Sequence, residues 1–218
     1  MSLELAFPTT IKQEIVQFVG KMKPTDHVLL FYDTAEKKYD ILFSFLSAGL
    51  ASRKGAAYVC SEESPEKIRN SMKAFSMDVR KNEEEGKLAV RTYDGWYIQN
   101  GQVDCVRILA GWKETCEEFQ KRGLGLRAAG EMACFFKHNK VRELLRYEYA
   151  LHRVFDIPME AICAYNVNTI VETGYSEVIM PLVRAHGWAI FTGPGGSMIY
   201  EPENVEDYDV ENLLRIKI

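Results

Sequence analysis

Short apolar runs punctuate the chain, and longer amphipathic segments separate them. The runs are "HVLLFY" (27–32), "GAAYVC" (55–60), "KLAVRTY" (87–93), "LGLRAAGEM" (124–132), "EAICAYN" (160–166) and "WAIFTG" (188–193), with "SMIYE" (197–201) after the turn-forming "GPGG". They lack strict polar alternation, which is the pattern of strands covered on both faces. Between them, residues 34–55 place Ile41, Phe45 and Ala48 beside Leu42, Leu46 and Leu50 on one broad helical stripe ending at Gly55. Residues 64–77 open with Ser64 as an N-cap and Pro65 at the first helical position. Residues 104–123 close on Lys121, Arg122 and Gly123, a helix stop. Helices are also predicted over 139–155 and 175–187, the second shortened or kinked by Pro181.

Strand–helix alternation at this spacing predicts an α/β fold with three layers, a mainly parallel sheet between helices. One domain over residues 1–218 is expected, with a core at about 25–193. An N-terminal amphipathic helix over 9–22 precedes it, and an acidic C-terminal extension (194–218) follows, ending in a short strand, "LLRIKI".

Composition narrows the class. The chain has 218 residues, 47% apolar and 27% charged, with a formal net charge of −4, which argues against a chain-wide nucleic-acid footprint. Five scattered cysteines (Cys60, Cys105, Cys116, Cys134 and Cys163) form no C-x-x-C pair and fit neither a disulfide framework nor a zinc motif. No signal peptide and no run of roughly 18 apolar residues is visible. A cytoplasmic location is expected, with no membrane partner and no direct nucleic-acid binding.

The junction after the first strand is the first candidate for chemistry. A phosphate loop needs G-x-x-x-x-G-K-[ST], whose glycines free backbone N–H groups to converge on phosphate. Here Asp33, Thr34, Ala35 and Glu36 stand instead, and Lys37 and Lys38 fall inside the helix, so P-loop ATP hydrolysis is not expected. Ligands of open α/β sheets bind outside the carboxyl ends of the strands. Tyr32, Ser61, Glu62, Glu63, Glu131, Tyr165 and Asn166 lie at such ends and are expected to line one cleft. Arg127 and Glu131 are charges within an apolar strand, serving either this cleft or a pair that holds the sheet to a helix. Gly123, Gly125 and Gly130 do not match G-x-G-x-x-G and read as close backbone packing.

His27 opens the first strand, at the end away from the cleft. His138, His152 and His186 lack the i, i+4 partner of a zinc helix, so no metal ligand set is predicted. There is no G-x-S-x-G elbow, and Cys163 carries no activation signature. The aromatic "YDGWYIQNG" (93–101) reads as a lid or partner surface that exposes Trp96 and Tyr97, or as a flap buried over the sheet edge.

Taken together, "HVLLFYDTAEKKYDILFSFLSAGL", "GAAYVCSEES", "GLGLRAAGEM", "LLRYEYAL" and "AICAYN" resemble the MEDS domain, the sensory domain of methanogen and methylotroph regulators such as the dichloromethane-responsive repressor. The resemblance runs from about His27 to Thr192. It implies a RecA/KaiC-like fold that has lost its Walker A loop, and a role in sensing small hydrocarbon derivatives. The family's recurring positions fall on His27, Tyr32, Glu62, Arg127, Gly130, Glu131, Tyr147, Glu148, Cys163 and Tyr165. Ligand binding is therefore assigned to His27, Tyr32, Glu62, Arg127, Glu131, Glu148, Cys163 and Tyr165, with no catalytic residue and an unassigned cofactor.

No helix-turn-helix or kinase core is visible, so the output module is expected on another chain, a DNA-binding or kinase partner, with this chain a homodimer. The alternatives are an enzyme or nucleotide-binding protein using Glu131 or Glu62, and an assembly module working through "YDGWYIQNG" and the acidic tail.

Overall fold

The computed structural model describes residues 9–153, 157–194 and 196–202. Among the described residues seven strands form one sheet: β1 (His27–Tyr32), β2 (Lys54–Cys60), β3 (Leu88–Thr92), β4 (Gly125–Glu131), β5 (Met159–Asn166), β6 (Trp188–Gly193) and β7 (Gly196–Tyr200). Their order is β3-β2-β4-β5-β1-β6-β7, and every pairing is parallel except the β6–β7 hairpin. The strand expected in "LLRIKI" lies outside the described residues.

The longer helices are α1 (Thr9–Gly20), α2 (Ala35–Ala51), α3 (Pro65–Ala74), α6 (Cys105–Lys121) and α8 (Val141–Arg153). Shorter ones are α4 (Val79–Glu84), α5 (Tyr93–Trp96), α7 (Ala133–Lys137), α9 (Val167–Glu172) and α10 (Ile179–Arg184). Local chemistry sets several boundaries. Ser64 caps α3 by accepting from the Lys67 backbone N–H, with Pro65 in the first turn. Asp104 does the same for α6 through Arg107. Pro181 stands in the first turn of α10, where its missing N–H is tolerated, and a 3₁₀ turn at Ser176–Val178 precedes the helix.

Successive strand residues face opposite layers, and this divides the core in two. Leu29, Phe31, Ala57, Val59, Ala128, Cys163 and Tyr165 face α6, α8 and α10. Val28, Leu30, Tyr32, Ala56, Tyr58, Ala129 and Ile162 face α1, α2 and α3. Helices therefore cover both faces, as the unbroken apolar strands predict. The segment 93–101 folds in as a flap: Tyr97 is buried, and the half-buried Trp96 lies 4.6 Å from Trp112 and under Arg91 at 4.3 Å. The exposed pair envisaged as a lid or partner surface is thus absorbed, because both rings find apolar walls in α6 and β4.

Gly55 marks a close approach that Gly20 does not. A Cβ on Gly55 would sit 1.9 Å from the Phe119 ring, whereas one on Gly20 would meet nothing within 4 Å. Gly55→Ala is therefore expected to destabilise by about 1–3 kcal/mol, and Gly20→Ala to leave stability unchanged or slightly raised. Urea unfolding midpoints of the two variants check the contrast.

Candidate functional site

The eight residues assigned to ligand binding do not line one cleft. They separate into three polar groups, because strand alternation sends neighbouring side chains to opposite layers. In the β1–β5 register Tyr32 stands opposite Asn166 while Phe31 stands opposite Tyr165. Tyr165 therefore faces away from Tyr32, and Asn166 takes its place at the strand ends.

The first group fills the carboxyl edge of the sheet. Glu131, the last residue of β4, is fully buried, and both its oxygens are saturated. Oε1 accepts from Lys38 Nζ at 2.7 Å and Tyr58 OH at 2.6 Å, and Oε2 accepts from the backbone N–H groups of Ser61 at 2.7 Å and Glu62 at 2.8 Å. Glu62 accepts from Lys38 Nζ at 3.0 Å, Asn166 Nδ2 at 2.7 Å and Tyr32 OH. Burial works to raise the Glu62 carboxyl, but Lys38, Tyr32 and Asn166 outweigh it and hold the group below its ordinary 4.5. Burial likewise works to lower the Lys38 ammonium, and Glu131 and Glu62 overcome it and raise it. Burial, then the neighbouring carboxylates, pushes the Tyr32 and Tyr58 phenols well up.

Two strand ends, those of β1 and β2, are closed by the protein's own groups. Backbone N–H groups at a strand end and a helix N-terminus normally attract an external anion. Here Glu131 occupies the Ser61 and Glu62 amides, Thr34 caps α2 by accepting from Lys37 N, and Asp33 pairs with Lys37 Nζ at 2.8 Å. The protein supplies its own anion.

The second group is structural. Arg127 donates to Glu160, to the Phe45 carbonyl and, at 3.0 Å, to the Gly20 carbonyl, and its guanidinium lies 4.7 Å from the Phe45 ring. Lys54 pairs with the same Glu160. Arg127 passes Gly49, where a Cβ would lie 2.5 Å from its Cδ. It therefore ties β4 and β5 to α1 and α2, the holding role considered for it. Arg127 and Glu131 share a face of β4 but are four residues apart, roughly 13 Å along a strand.

The third group lies on the opposite face, under α8 and α10. His27 Nε2 is 3.3 Å from Cys163 Sγ and 3.3 Å from Glu148 Oε2, and His186 Nε2 is 3.4 Å from that same oxygen. Tyr165 OH donates to Glu148 Oε1, and the two imidazole rings lie 4.0 Å apart. None of the four is more than 4% exposed, and their donor atoms fall within 4.8 Å of one another. Burial raises the Glu148 carboxyl, with His186, Tyr165 and Cys163 opposing it; burial, then Glu148, pushes the Cys163 thiol well up. Beside Cys163 lies an apolar void of ≈ 10 Å³, walled by Tyr97, Trp112, Tyr147 and Leu151. Gly130 also borders it, its missing side chain making room for the Tyr97 hydroxyl. A separate cleft of ≈ 320 Å³ opens between α1, α2 and the β6–β7 hairpin, lined by Ile15, Val16, Lys37, Ile41 and Thr192 among others.

Sequence reasoning missed Lys38, Tyr58 and His186. Lys38 carried a signal, since it stands on the Ile41–Leu42–Phe45 stripe where a lysine is out of place without a buried carboxylate. His186 carried none: it meets His27 only because β6 pairs with β1, Val28 standing opposite Trp188.

Removing the Lys38 charge leaves Glu131 buried without its cation. Lys38→Met is therefore expected to cost about 3–5 kcal/mol in chemical denaturation. Glu62 has a folded pKa below its unfolded value, so its stabilisation is present above pH 4.5 and is lost as pH falls through the lower folded value. Stability measured from pH 6 to pH 3 should fall less steeply in Glu62→Gln than in the wild type.

Comparison with known proteins agrees with this architecture. A solved structure of an uncharacterized protein, PH0321 from Pyrococcus horikoshii, in complex with an unknown peptide, aligns with a TM-score of 0.62 and 16% identity over 86% of each chain. The KaiC-like protein PH0186 from Pyrococcus horikoshii OT3 aligns with a TM-score of 0.55 and 17% identity, covering 81% of this chain and 90% of its own. At these identities both speak to the fold alone, which is RecA/KaiC-like. No curated protein sequence matches. The model of the methanogen/methylotroph, DcmR sensory domain matches residues 26–186, and the chain belongs to this MEDS family.

Proposed function

We propose that the protein is a non-catalytic sensory domain whose ligand, a small compound of few heavy atoms, binds in the void beside Cys163. Family membership supports sensing. The observation that carries the location is the joining of two unlike surfaces at one side chain. Cys163 closes the aromatic void on one side and belongs to the buried His27–Glu148–His186 group on the other. An apolar body with a polar or soft end is thus recognised in one place.

At ≈ 10 Å³ the void has room for about one water, so a one- to three-carbon ligand enters by displacing a wall. Tyr97 is the wall that reports outward, since it belongs to the 93–101 flap and packs on Gly130. A ligand that favours the displaced position shifts the flap by its differential affinity for the two states. The signal passes to a separate DNA-binding or kinase output protein, with this chain as a homodimer. Among the described residues β7 is an edge strand with Met198 and Tyr200 exposed, and it is the surface offered for self-association.

The strand-end carboxylates support sensing over catalysis. A general base near neutral pH needs a raised pKa and a free lone pair. Glu131 spends both oxygens on four donors, and Glu62 is held low.

Methyl NMR of the wild-type protein, titrated with dichloromethane and with methanol, tests the reading. Saturable shifts at Leu151, Met159 and Ala161 are expected. Shifts confined to Ile15, Val16 and Ile41 would move the sensing site to the outer cleft, and no saturable shift anywhere would refute the void as a binding site.

A further inference from the structure

We infer that His27, Cys163, His186 and Glu148 form a binding site for one divalent transition metal ion of the zinc class. The assignment rests on these four side chains and not on the ligand reading, so it stands whether or not the void takes a ligand.

The spacing is that of a coordination shell. In a tetrahedral site with bonds of about 2.0–2.3 Å, ligand atoms stand roughly 3.3–3.7 Å apart. Three contacts within the group, His27 Nε2 to Cys163 Sγ, His27 Nε2 to Glu148 Oε2 and His186 Nε2 to Glu148 Oε2, are 3.3, 3.3 and 3.4 Å. The remaining separations stay within 4.8 Å, so centring an ion draws the donor atoms inward by about 1 Å at most.

Two ligands are already oriented from behind. His186 Nδ1 lies 2.7 Å from the Leu182 carbonyl, which can only accept; Nδ1 therefore carries a proton, and Nε2 is the ring nitrogen that faces the group and can ligate an ion once it carries none. Tyr165 fixes Glu148 through Oε1, leaving Oε2 as the atom on which both imidazoles converge. Partners of this kind, behind the ligands, accompany metal-bound histidines and carboxylates.

Charge points the same way. Glu148, and Cys163 once it has lost its proton, place negative charge in a fully buried site, and a divalent ion would neutralise both at once. When the ion binds, the Cys163 thiol gives its proton to solvent and the sulfur becomes a ligand. One sulfur, two imidazoles and one carboxylate suit zinc or its near neighbours rather than calcium or magnesium, which take oxygen shells. Four protein ligands close the shell, as in structural sites. The ion would pin α8 and the link before β6 onto β1 and β5, elements whose sequence positions are far apart.

The test uses the full chain, refolded with zinc chloride and dialysed. Elemental analysis should find about one zinc per chain, and X-ray absorption at the zinc edge of the wild type should show one sulfur and three nitrogen or oxygen neighbours. Cobalt in place of zinc should give tetrahedral visible bands and a near-ultraviolet thiolate band. That last band should vanish in Cys163→Ser and persist in Cys134→Ser. Absence of bound zinc together with a silent cobalt titration of folded protein would overturn the site. So would a zinc edge showing no sulfur or several sulfurs, a result that needs no variant to fold.

Discussion

A sheet covered on both faces leaves no water for the charges it carries, and most of this molecule's polar architecture follows from that constraint. Every charged side chain on β4 and β5 must be neutralised by another part of the protein. Arg127 is met by Glu160 and two helix carbonyls; Glu131 is met by Lys38, Tyr58 and two amides. Both networks are closed, with donors and acceptors matched, and closed networks rigidify a fold. The His27–Glu148–Cys163–His186 group differs in kind. It concentrates four metal-ligating side chains around one small space, which is why both the ligand and the ion are assigned to that face.

The loss of a phosphate loop in a RecA/KaiC-like fold thereby acquires a physical description. The amides after β2 are held by Glu131, a residue of the same sheet, and at the β1–α2 junction, where a phosphate loop would lie, the α2 N-terminus is capped by Thr34 and flanked by Asp33. An additional anion would meet carboxylates where it needs donors. Function in this family member is accordingly sought on the opposite face, where the side chains are chemically soft and the walls aromatic.

Much of the fold was legible in the sequence because the buried strands are apolar on both faces. "HVLLFY" and "WAIFTG" coincide with β1 and β6, and the Ser64–Pro65 start of α3 follows from capping chemistry alone. The helices α4, α5, α7 and α9 escaped because four to six residues complete less than two turns, too few to display a period. The site was legible as a set of residue types and not as a place. All eight candidates are wholly or largely buried, yet which of them meet depends on strand parity and sheet order. Tyr32 and Tyr165 differ by one register position and so face opposite layers, and His186 joins His27 only through the β1–β6 pairing.

The most direct measurement is calorimetric titration of the folded protein with ATP and magnesium. A strand edge already filled by Glu131 predicts no heat of binding up to millimolar nucleotide. Saturable binding in the micromolar range would contradict it, and would return function to the carboxyl edge of the sheet.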